Sequence, residues 1–71
     1  MPVPYESPAV GKTIAELGVP EKLLIALISR KGQFIVPSGS TVIEQADILL
    51  VLANDEDIGI LQNIIFTSKK I

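Results

Sequence analysis

Residues 23–37 read LLIALISRKGQFIVP, and the fold turns on how this stretch is taken. Leu23 to Ile28 is a continuous aliphatic run. Its periodicity fits either a buried helix started by Pro20 or a fully buried strand. The next nine residues decide between the two. Ser29-Arg30-Lys31-Gly32 is a turn signal with glycine last, and Gln33 to Val36 is a short β-rich segment that Pro37 ends. Two short apolar runs joined by a glycine-ended turn predict a β-hairpin.

Downstream, Pro37-Ser38-Gly39-Ser40 makes a second turn and Thr41-Val42-Ile43 a brief extended segment. Glu44 to Asp47 makes a third turn, and Ile48 to Ala53 is an aliphatic strand expected at the centre of the sheet. Asn54 is placed to cap a helix, with Asp55, Glu56 and Asp57 in the first turn, where the helix dipole favours negative charge. Ile58, Leu61 and Ile65 then recur on one face, with Gln62 and Asn63 on the other. Lys69 and Lys70 suit the C-terminal end of that helix. Upstream, prolines at 2, 4 and 8 leave room only for an edge strand around Val3 to Glu6. Thr13 and Glu16 have the spacing of a capping box, and Gly18 with Pro20 stops the helix after one or two turns. The expected order is βαβββα: an α+β domain with a small, mainly antiparallel sheet, a short N-terminal helix and a C-terminal amphipathic helix.

Composition excludes whole classes of chemistry. The chain has 71 residues, no Cys and no His, so it forms one domain, 1–71, without disulfides, thiolate–zinc sites or His-based acid–base catalysis. A net charge of -2 and 4% aromatic residues fit neither duplex DNA nor single-stranded nucleic acid as a partner. The longest aliphatic runs have six residues, far short of the roughly 20 that span a bilayer. A domain this small, 48% hydrophobic and without staples, is expected to gain buried area by associating with a copy of itself or a larger protein.

Few motifs carry chemistry. Gly11-Lys12-Thr13 has the end of a phosphate loop, but Glu6 stands where that loop needs its first glycine. Asp55-Glu56-Asp57 lacks the spaced ligands and turn glycine of a calcium loop. Serines 29, 38 and 40 have no catalytic companion. Arg30, the sole arginine, has two readings. It is a solvated charge at a hairpin end, or its planar fork meets an anion beside an apolar cleft of Ile28, Val36 and Pro37.

The string from Gly11 onward, GKTIAELGVPEKLLIALISRKGQFIVPSGSTVIEQADILLVLA, resembles the TrkA-C family, also called RCK-C. The resemblance rests on an ordered set: Gly11, Lys12, Thr13, Glu16, Leu17, Arg30, Gly32, Pro37, Thr41 and Asp47. It covers about residues 3–66. Ala46 departs from the glycine the family usually carries before that Asp, which implies a shifted turn. The resemblance implies a cytosolic regulatory module of a potassium channel, uptake system or cation/proton antiporter, soluble but attached to a transmembrane part. It implies a homodimer whose cleft takes a small anionic ligand, cyclic di-AMP being the best known. It points to Arg30, Val36 and Pro37 as ligand contacts, with Ile28 beside them. It implies no catalysis, and no nucleotide cofactor, because the sequence has no glycine-rich dinucleotide fingerprint. The alternative is a purely structural dimerisation module without a ligand.

Overall fold

The computed structural model describes residues 1–66. The stretch that decides the fold is a hairpin. Strand β1, Leu24–Arg30, turns through Lys31 and Gly32 into β2, Gln33–Ile35. Arg30 pairs with Gln33 across this two-residue loop. Lys31 and Gly32 have φ of +52° and +81°, the left-handed values that a type I′ turn demands at both positions and that match the twist of the strands. Strand β3, Ile48–Leu52, lies on the other side of β1, so the sheet has the order β2-β1-β3 and is antiparallel throughout. Helix α1, Asp55–Phe66, comes after it.

The α+β class and the order of elements stand, with corrections of detail. The strand expected over Val3 to Glu6 is reduced to a bridge between Pro2 and Ile48, because the prolines at 2 and 4 cannot donate to a ladder. Thr41 to Ile43 makes only one bridge, between Val42 and Thr13. The central strand is β1 and not the 48–53 segment. The short helix is a single 3-10 turn, Ala15–Leu17. Its box is formed: the Thr13 amide donates to Glu16 Oε1 at 2.8 Å and the Glu16 amide to Thr13 Oγ1 at 3.2 Å. Asn54 caps α1 as expected, its Oδ1 accepting from the Asp57 amide at 2.7 Å. Lys69 and Lys70 lie outside the described residues.

A β-bulge sets which side chains go inward. Ile25 pairs with Val51 and Leu27 with Leu50, so Ala26 is an extra residue in β1. Side chains alternate along a strand, and the extra residue resets the alternation. Ile25 and Ile28 thereby both face the core, where they join Leu49 of β3, Ile43, and Leu61 and Ile65 of α1. Leu24 and Leu27 both face the other way. Among the described residues no helix is long and apolar enough to cross a membrane.

Candidate functional site

The outward face of the sheet is apolar, and among the described residues nothing covers it. The cross-strand pairs Leu24 with Leu52, Leu27 with Leu50, and Ser29 with both Ile48 and Phe34 bring these side chains to one surface. Leu24, Ile48, Leu50 and Leu52 are each half or more exposed, and Phe34 reaches 76%. Ser29 supplies the only hydroxyl among these seven side chains. A shallow depression of about 260 Å³ opens among Met1, Leu27, Ser29, Phe34 and Ile48. Single exposed leucines are ordinary on a soluble domain, but a contiguous apolar sheet face is a mark of an interaction surface.

At one end of the sheet, on its covered side, lies the charged cluster. Arg30 sits two residues after Ile28 and shares its face of β1. Its Nε and Nη2 donate to Asp47 Oδ1 and Oδ2 at 2.9 and 2.8 Å, a bidentate fork. Nη2 also donates to the Val42 carbonyl at 2.9 Å, and Nη1 stands 3.3 Å from Glu44 Oε2. Asp47 is fully buried, and its Oδ2 accepts a further hydrogen bond from the Glu44 amide at 3.0 Å. Burial pushes the Asp47 carboxyl up, but the Arg30 hydrogen bonds, the Glu44 amide and the Arg30 charge outweigh it and hold the group below the usual carboxylate range. The hydrogen bond to Asp47 correspondingly raises Arg30, against burial. A second recess, of about 410 Å³, brings Lys31 and Glu44 together with Val10, Gly11, Ile43 and Gln45.

The four residues read from the sequence as ligand contacts do not converge in one chain. Ile28 is fully buried in the core, and Arg30 lies on the same covered face with its fork committed to Asp47. Val36, 80% exposed, comes directly after Ile35, which pairs with Ile28; alternation carries it to the open face beside Phe34. Pro37 follows, two residues past the end of β2, half-buried. Sequence reasoning missed the pairing of Arg30 with Asp47 and the whole open face. The alternation of β3 held the signal for the face, since Ile48, Leu50 and Leu52 are apolar where a solvated strand would be polar. Among the described residues no cluster of three or more His, Cys, Asp or Glu is arranged to hold a metal ion.

Comparison with known proteins gives a consistent set. The sequence matches the model of the TrkA-C domain over residues 1–65. It is 38% identical over 58 residues to a Trk system potassium uptake protein TrkA homolog of Archaeoglobus fulgidus, covering 82% of this chain and 13% of that protein. It is 34% identical over 55 residues to the K(+)/H(+) antiporter NhaP2 of Shewanella oneidensis, covering 78% of this chain and 10% of the antiporter. The chain thus spans a small part of the curated relatives it matches. Among solved structures, the RCK_C domain dimer of S. agalactiae BusR in complex with c-di-AMP superposes with a TM-score of 0.79 at 29% identity, over 92% of this chain and 84% of that one.

Proposed function

The chain belongs to the TrkA-C domain family, and from that premise we propose that it is a cytoplasmic regulatory domain of a potassium or cation transport protein, acting as a homodimer that takes a small anionic ligand at its cleft. The 1–71 stretch acts as one domain attached to a transmembrane transporter or channel region. The observation that carries the reading is the open apolar face of the sheet. Strands β1 and β3 read in sequence as buried on both sides, and a second copy covers the side that one chain leaves bare. A two-fold axis sets such a face against its own copy, and a face without charge meets no like-charge repulsion there. The relatives supply the transport context, and the BusR neighbour supplies the ligand class, cyclic di-AMP.

The site takes shape around Val36 and Pro37, which line the cleft from the β2 edge of the open face, away from the hairpin turn. Ile28 supports them from beneath. Arg30, on the covered side of β1, holds the loop around Asp47, and its Nη1 edge beside Glu44 is where its positive charge meets an anion. Three of its five N–H donors are spent on Asp47 and Val42 and Nη1 faces Glu44, which favours a second reading, a structural dimerisation module without a ligand. Calorimetric titration of the chain with cyclic di-AMP separates the two. The ligand-binding reading expects saturation at one ligand per two chains, and at least ten-fold weaker binding in Val36→Asp, whose exposed side chain leaves folding intact. A dimer that releases no heat with cyclic di-AMP and shows no binding by any second probe supports the structural module instead.

A further inference from the structure

Asp47 is held through both its side chain and its main chain, and the two sets of bonds lead to different parts of the molecule. Its carboxylate carries the Arg30 fork at the end of β1. Its carbonyl accepts from the Val3 amide at 2.8 Å, and the neighbouring Ala46 amide donates to the Val3 carbonyl at 3.0 Å. Two residues on, Leu49 and Met1 exchange both hydrogen bonds, at 2.8 and 2.9 Å. The turn between is closed on itself: the Asp47 amide donates to the Glu44 carbonyl at 3.2 Å, and the Glu44 amide returns to Asp47 Oδ2 at 3.0 Å. A turn braced in this way moves as a unit.

We propose that Asp47 couples the hairpin end to the N-terminal segment, residues 1–3, so that a change in how Arg30 is held is felt at Val3. The inference deepens the regulatory reading and rests on it for its purpose. On that reading the domain is attached to a transport protein, and a displacement that reaches a chain end is one the attachment can feel. Of Arg30's two carboxylate partners, Asp47 is fully buried, whereas the Glu44 side chain is 52% exposed. Glu44 is therefore the partner that an incoming anion displaces, and Asp47 the one that stays and transmits.

The test is residue-resolved amide exchange by NMR on the whole chain, without ligand, so its outcome is independent of whether cyclic di-AMP binds. In Asp47→Asn, which keeps the side-chain shape but removes the charge, the Val3, Ala46 and Leu49 amides should exchange at least ten-fold faster. The Leu61 and Ile65 amides of α1 should change less than three-fold. Acceleration by one common factor at all five positions overturns the proposal, since it makes Asp47 a general keystone. Unchanged exchange at Val3 overturns it as well. If Asp47→Asn does not fold, Glu44→Gln replaces it. That variant removes only the solvent-facing contact and should accelerate Val3 and Ala46 two- to three-fold with α1 unchanged; no difference between Val3 and α1 overturns the coupling.

Discussion

Ala46 holds a φ of +66°, a left-handed backbone that costs a residue with a Cβ about 1–2 kcal/mol. Its exposed side chain has no core contact to offset this, and the turn it makes is the one that aims Asp47 at Arg30. Ala46→Gly should therefore raise stability by about 0.5–1 kcal/mol, once the entropy glycine loses on folding is subtracted; a chemical denaturation midpoint checks it, and a lower midpoint refutes the assignment of strain. Asp47 gives a pH dependence of definite sign. Its folded value lies below its ordinary one, so its contribution is complete above the unfolded carboxyl value near 4 and is lost as pH falls through the folded value. Thermal melts should be insensitive to this group from neutrality down to about pH 5 and fall below about pH 4, and Asp47→Asn should flatten that acid limb. Arg30→Ala strands a buried carboxylate and should cost about 2–4 kcal/mol, so its effect on any ligand is interpretable only beside a stability measurement. At this scale the hairpin glycine was legible, because a type I′ turn admits few residues. The Arg30–Asp47 pair was not, because nothing local brings together residues 17 apart in sequence.

The elements show why local periodicity misleads. In LLIALI the outward leucines 24 and 27 and the inward isoleucines 25 and 28 are each spaced by three, which is helical spacing. The bulge at Ala26 produces that spacing within a strand. Only the turn and the short β-rich run after it exposed the strand. The segments around Val3 and Val42 were overread for the opposite reason: short extended chain with apolar residues resembles a strand in composition, yet each makes a single bridge. The two faces of β1 and β3 predict opposite mutational behaviour. Ile28→Ala removes a fully buried side chain and should cost about 2–5 kcal/mol in a melt at any protein concentration. Leu50→Ser, on the open face, should leave the far-UV circular dichroism unchanged and make the melting temperature independent of protein concentration. Ile48 to Ala53 looked like a central strand because it is apolar on both sides. It is an edge strand beside β1, and among the described residues nothing covers its outer side, which is apolar.

For the whole molecule, a small core and a bare sheet face meet in a member of the TrkA-C domain family. Among the described residues the chain builds one hydrophobic layer, with α1 and the segment before β1 on one side of the sheet and nothing on the other. Family and fold class were legible from the ordered motifs along the chain. The shape of the site was not, since it depends on which face each strand turns outward. The central claim is that two chains close over that face. Sedimentation equilibrium of the chain at micromolar concentration tests it most directly, with Leu50→Asp run alongside. The expected result is twice the 7.6 kDa mass of one chain for the wild type and the single-chain mass for the folded variant. A wild-type chain that stays at the single-chain mass up to hundreds of micromolar, or a Leu50→Asp dimer as tight as the wild type, would contradict it.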